Sequence, residues 1–210
     1  MSQHEHKHHG HHQHDHRHAD RHGARQPERF DPGRAALLDD PARLEYLPPD
    51  KLIELLEAPA GARVIDFGTG TGTFAIELAR RRPDLEVIAL EEQPEMLDLL
   101  KAKPAASELR NLKPVLTGEM ALEGSAERVL AINVLHEIGD DALKELAAML
   151  KRGGSALIVD WNSEVDRRVG PPRGHVYSPT EARHRLEAVG LRPRDEEQFK
   201  YHYVLRATKP

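Results

Sequence analysis

The chain has no cysteine in 210 residues. Disulfides, thiolate metal sites and a cysteine nucleophile are therefore excluded. Aromatic residues make up only 4% of the total, with one tryptophan, and no basic stripe is interleaved with them as a nucleic-acid surface requires. A net charge of −5 adds no general attraction to nucleic acid. No apolar run approaches the ~20 residues that span a bilayer, and the N-terminus lacks an apolar signal core. A cytoplasmic protein without a membrane span is the expectation. The length suits one α/β domain with an extra segment, not two full domains.

Histidine, by contrast, is abundant and unevenly placed. Ten of the fourteen lie in the first 33 residues: His4, His6, His8, His9, His11, His12, His14, His16, His18 and His22. This stretch has no leucine or isoleucine. Its fixed charges balance, with Lys7, Arg17, Arg21, Arg25 and Arg29 against Glu5, Asp15, Asp20, Glu28 and Asp31. A segment so poor in apolar side chains cannot offset its ordering entropy, so residues 1–33 are expected to be disordered without a ligand. Spaced imidazoles can ligate Ni²⁺, Zn²⁺, Co²⁺ or Cu²⁺, and the nine from His4 to His18 are the candidate metal ligands. The interleaved Gln, Glu, Asp and Arg set the tail apart from an uninterrupted purification tag. The bland alternative is a solvated tail that merely chelates.

The remainder alternates strands and helices. Strands are expected over 63–67, 85–91, 113–117, 129–133 and 155–161, with helices over 71–82, 94–103 and 140–151. Such alternation builds right-handed β-α-β units and a parallel sheet covered on both faces. Short leading helices occupy 34–60, ahead of a core over 61–210. Only Gly118 to Arg128 separate the third strand from the fourth, too few for a helix and two loops. Ser178-Pro179-Thr180-Glu181 is a capping pattern that opens a helix to Ala188, which ends at Gly190. Leu191 to Phe199 and His202 to Thr208 should pair as an antiparallel hairpin, with Tyr201 and Tyr203 on one face.

The chemistry lies at strand ends. Val64-Ile65-Asp66-Phe67-Gly68-Thr69-Gly70-Thr71-Gly72-Thr73-Phe74 reads as a strand, a glycine-rich turn and a helix start. Such a turn lets backbone approach a ligand closely, ahead of a helix N-terminus. A dinucleotide turn would place its third glycine at position 73, which is Thr73. About 20 residues on, a second apolar strand ends at Glu91, where a carboxylate can accept two hydrogen bonds from a ribose diol. Val129-Leu130-Ala131-Ile132-Asn133-Val134-Leu135-His136-Glu137-Ile138 and Met149-Leu150-Lys151-Arg152-Gly153-Gly154 follow, the latter as a turn before the fifth strand.

The spacing Asp-x-Gly-x-Gly-x-Gly, with the later motifs in order, resembles the class I S-adenosylmethionine-dependent methyltransferases over residues 45–208. The loop Gly170 to Tyr177 is similar to one in the quinone-biosynthesis-like group of small-molecule methyltransferases. The resemblance implies a Rossmann-like, seven-stranded, mostly parallel sheet with helices on both faces and a C-terminal antiparallel hairpin. It implies S-adenosylmethionine as cofactor, with Gly68, Gly70 and Gly72 under its methionine part and Glu91 on its ribose. Asp66 would order the turn or reach the amino group through water. Glu119 falls where the family places an acid near the adenine amino group. The acid at the start of the fourth strand aligns with Glu127, where aspartate is usual. Asn133 lies beside the expected methyl. The absence of cysteine argues against relatives that methylate arsenic.

Methyl transfer from a sulfonium is an in-line displacement, which needs a proton acceptor only if the nucleophile carries a proton. His136, at the same rim, is the candidate catalytic base, with packing as its alternative role. Asp160, Trp161 and Asn162 end the fifth strand there. Trp161 is either a stacking platform for a flat acceptor or a buried plug. Tyr46 and Leu47 are either lid residues or sheet packing. His175 and Tyr177 could face the pocket. The implied function is methylation of a small molecule, with no nucleic-acid partner and no oligomeric state indicated. The alternative is a metal-buffering or metal-delivery protein in which the domain is a binding module.

Overall fold

The computed structural model describes residues 29–210. The histidines at positions 4–22, expected to ligate metal, lie outside the described residues. Seven strands form one sheet: β1 (Arg63–Phe67), β2 (Glu86–Glu91), β3 (Leu112–Leu116), β4 (Ala126–Ile132), β5 (Leu150–Trp161), β6 (Arg192–Asp195) and β7 (His202–Thr208). Their order is β3-β2-β1-β4-β5-β7-β6. The first five pair in parallel, whereas β7 runs antiparallel to β5 and β6. The sheet and its hairpin therefore match the expected Rossmann-like fold.

Helices α1 (Ala42–Tyr46), α2 (Pro49–Leu56), α3 (Thr73–Arg81), α4 (Pro94–Lys101), α5 (Pro104–Ser107), α6 (Asp140–Met149) and α7 (Pro179–Ala188) complete the domain. The period of two in each strand divides the core into two layers. Val64, Val87 and Ala89 join Leu56, Phe74, Leu78 and Leu97 on one face. Ile65, Ile88 and Leu90 join Leu143, Leu146 and Leu186 on the other. With both faces covered, the strands read as near-continuous apolar runs.

Two departures have local causes. Helix α3 starts at Thr73 because Gly70 and Gly72 adopt φ of +57° and +78°, which a helix cannot contain. β5 begins at Leu150, where a turn was expected. Leu150 pairs with Ala126, and a register shift follows before Arg128 meets Ser155. A Cβ on Gly154 would lie 2.9–3.1 Å from the carbonyls of Lys151, Ala126 and Glu127, so only glycine lets the two chains run this close. No helix separates β3 from β4, as the short spacing predicts. The Ser178–Glu181 capping box forms at the start of α7. Among the described residues no helix is long and apolar enough to cross a membrane.

Candidate active site

Parallel strands bring their carboxyl ends to one edge, where loops from β1, β2, β4 and β5 converge. Asp66 sits at the end of β1 and is almost fully buried. Its Oδ2 accepts the Thr69 hydroxyl at 2.6 Å, which braces the glycine turn. Burial pushes the Asp66 carboxyl up to about 7; Thr69 and Arg43 oppose this and the Glu91 charge adds to it. Glu91, at the end of β2, is also buried. One oxygen accepts the Gly70 amide at 2.8 Å, and the other accepts the amides of Glu92 and Gln93 at 3.0 Å. Burial raises the Glu91 carboxyl above its ordinary value despite those three donors.

A strap formed by residues 29–39 crosses this edge. It includes the 3₁₀ helix Pro32–Asp39, so residues 29–33, expected to belong to the disordered tail, are packed against the domain instead. Arg29 pairs with Glu92, and the Phe30 amide donates to Glu137 Oε2 at 3.2 Å. Gln93 donates to the Phe30 carbonyl. At the other end, Asp39 Oδ1 accepts the hydroxyls of Thr71 and Thr73 at 2.7 Å each and Lys103 Nζ at 2.6 Å. A Cβ on Gly70 would stand 3.0 Å from Leu38 Cδ1, and one on Gly72 would overlap Leu100. Glycine is therefore favoured at both places by φ, and at position 72 by packing as well.

Beyond β4 the chain kinks at Asn133, a non-glycine residue with φ of +59° whose amide donates to the Val159 carbonyl. Asparagine tolerates this left-handed conformation better than most residues. Its Oδ1 is buried without a protein partner. The kink carries the next turn under β5. There His136 Nδ1 stands 2.7 Å from Asp160 Oδ1, and the His136 backbone amide donates to Asp160 Oδ2 at 3.0 Å.

The comparisons agree with this geometry. A family model described as a methyltransferase domain matches residues 41–197. The chain belongs to the class I S-adenosylmethionine-dependent methyltransferases. A solved S-adenosylmethionine-dependent methyltransferase from Aquifex aeolicus superposes with a TM-score of 0.78 at 30% identity, covering 85% of this chain and 98% of that one. An uncharacterised methyltransferase of Mycobacterium bovis is 34% identical over 134 residues, 59% of this chain and 48% of its own length. A demethylmenaquinone methyltransferase of Deinococcus radiodurans is 49% identical over 47 residues, 22% of this chain and 20% of its own. The chain thus spans about half the length, or less, of these two curated relatives.

For this methyltransferase the donor set fits its family's cofactor. S-adenosylmethionine carries an ammonium and a ribose diol, and the edge supplies the buried carboxyls Asp66 and Glu91 beside a turn whose Gly70 has φ of +57°. Gly68, Gly70, Gly72, Asp66, Glu91 and Asn133 meet along this edge. Glu119 is exposed in the turn that leaves the carboxyl end of β3, with its carboxylate accepting the Leu116 amide. Glu127 lies at the opposite, amino end of β4, where it accepts the Arg63 amide and pairs with Lys151.

Trp161 is a packed plug. It is 6% exposed and touches His202 with ring centroids 4.1 Å apart. The Arg167 guanidinium lies over it, and a Cβ on Gly170 would strike it. Tyr46 joins this cluster through His202, Trp161 and Tyr201, while Leu47 is fully buried in the core. Tyr201 and Tyr203 do not share a face. β7 starts only at His202, so Tyr201 turns to the Trp161 cluster and Tyr203 enters the opposite core layer. His175 is exposed, and Tyr177 packs under Arg185. Among the described residues no group of three His, Cys, Asp or Glu side chains can hold a metal.

Two features of this edge carry no signal in the sequence, the pairing of Asp160 with His136 and the strap over the glycine turn. Asp160 was placed at the right rim by its strand position. His136 was placed at the same rim; the contact between the two was not foreseen, because 24 residues separate them.

Proposed function

We propose that the chain transfers a methyl group from S-adenosylmethionine to a small-molecule acceptor at the carboxyl edge of its sheet, with His136 as the base. The convergence of Gly70, Glu91, Asn133 and His136 on that edge carries this reading. When bound, the cofactor supplies a methyl already activated by a positive sulfur. Glu91 would bind the ribose, and Asp66 would keep the turn in shape through Thr69. The strap and the Trp161 plug would exclude water from the reacting groups. The quinone-biosynthesis-like loop and the partial likeness to a demethylmenaquinone methyltransferase favour a compact organic acceptor. Incubating the full chain with methyl-labelled cofactor and a bacterial extract should put label into the low-molecular-mass fraction. Label confined to RNA or protein would contradict a small-molecule acceptor.

We further propose that the chain ahead of the strap, residues 1–28, is a metal-binding tail, with His4, His6, His8, His9, His11, His12, His14, His16 and His18 as ligands for Ni²⁺, Zn²⁺ or Co²⁺. The support is compositional. Neutral imidazole ligates and protonated imidazole does not, so binding should fade below the ordinary histidine pKa of ~6.5. Metal titrations of the full chain and of a chain lacking residues 1–28 test it. Equal binding by the two would place the ligands elsewhere.

A further inference from the structure

We propose that Asp160 is the positioning residue of a His136–Asp160 dyad, holding the imidazole with its proton on Nδ1 so that Nε2 accepts the proton of the methyl acceptor. This rests on the methyl-transfer reading above and adds to it the class of acceptor, an oxygen or nitrogen that sheds a proton as it is methylated.

The geometry supports it from both partners. Asp160 is fully buried in β5. Its carboxylate accepts three N–H groups: His136 Nδ1 at 2.7 Å, the His136 amide at 3.0 Å and the Trp161 amide at 2.7 Å. Two of the three come from one residue, so ring and backbone of His136 are held together. An ionised carboxylate only accepts, which assigns the proton to Nδ1. Nε2 is left as the basic atom. Glu137 Oε1 lies 3.5 Å from it, longer than a hydrogen bond.

Other charged groups act on the ring from the surrounding elements. Arg167, in the loop after β5, opposes its protonation. His202 of β7 is itself neutral, and Arg185 of α7 donates to the carbonyls of Leu135 and Ile138 on either side. Burial alone would lower the His136 pKa. The charge and hydrogen bond of Asp160, with the charge of Glu137, outweigh it and raise the pKa above its ordinary value. In the transfer, the bond from the acceptor atom to the methyl forms as the cofactor's S–CH₃ bond breaks. The acceptor's proton passes to Nε2, leaving imidazolium beside the Asp160 carboxylate and neutral S-adenosylhomocysteine.

The test is ¹⁵N NMR of the imidazoles in the full chain, with His136→Gln to assign the signal and Asp160→Asn to remove the partner. His136 should carry its proton on Nδ1 with Nε2 bare above its pKa, and Asp160→Asn should abolish that preference while cofactor still binds. If Nε2 faces the reacting methyl, the sulfonium of bound S-adenosylmethionine should lower the His136 pKa by about one relative to the S-adenosylhomocysteine complex, whereas an imidazole packed away from the cofactor would show no such difference. A bare Nδ1, or the same His136 pKa with both nucleosides, overturns the dyad and leaves the methyltransferase reading intact. Failure of both nucleosides to bind overturns that reading itself, and the dyad's role falls with it. The comparison of the two nucleosides uses the unmutated protein, so it decides even if Asp160→Asn does not fold.

Discussion

The Glu91 carboxylate accepts the Gly70 amide at 2.8 Å across 21 residues of chain. This bond joins the acid at the end of β2 to the centre of the glycine turn after β1, and so fixes the two elements proposed to hold the cofactor against each other. Glu91→Ala should therefore weaken S-adenosylmethionine binding by about 1.5–3 kcal/mol, the scale for hydrogen bonds to a charged group. Gly70→Val should abolish it, because position 70 has φ of +57° and faces Leu38. Titration calorimetry of each folded variant checks both. Unchanged affinity in Gly70→Val would remove the turn from the site.

The buried Asp66 carboxyl makes stability depend on pH. Its pKa is about 7 in the folded chain against 3.8 as an ordinary aspartate. The folded state thus holds the proton more tightly than the unfolded state. This contribution is complete below about 4 and is lost as pH rises toward about 7. Glu137, pushed up to about 7 chiefly by burial, adds a slope of the same sign. Asp66→Asn should flatten the stability profile between those limits without removing it. Urea melts at several pH values, compared with the parent, measure this. Identical slopes would show that Asp66 is ionised throughout.

His202 is 1% exposed, and neither ring nitrogen has a hydrogen-bond partner. Burial pushes its pKa down to about 3, so it is neutral under ordinary conditions. Phenylalanine can keep the stacking on Trp161 and Tyr46 and removes two orphaned polar atoms. His202→Phe should stabilise the domain by about 1 kcal/mol, seen as a higher melting temperature. A clear loss of stability would reveal a partner for the imidazole.

Asp39 gathers Thr71, Thr73 and Lys103 onto one carboxylate oxygen and so ties the strap to the glycine turn. Asp39→Ala should speed hydrogen exchange at the amides of residues 33–39 and 71–73 while the strands stay protected. Exchange unchanged in both segments would mean that the strap's other contacts hold it without Asp39.

The sheet was legible because apolar strands bounded by glycine, proline and acids are local signals. β1 was bounded correctly at residues 63–67 for that reason. The start of β5 was not, since Leu150 to Gly154 look like a turn until β4 lies beside them. The acids and glycines at strand ends were legible through their spacing. What they touch was not. Asp39 reaches Thr71 across 32 residues and Phe30 reaches Glu137 across 107, and no periodicity encodes such contacts. Tyr201 was assigned to the wrong face because alternation was assumed to begin one residue before the strand does.

Cofactor binding by the unmutated full chain is the most direct test of the central claim. Calorimetric titration with S-adenosylmethionine should give saturable binding of about one equivalent in the micromolar range, with S-adenosylhomocysteine competing for the same site. No saturable heat up to millimolar cofactor, or binding that S-adenosylhomocysteine does not displace, would contradict a cofactor site at the carboxyl edge of this sheet.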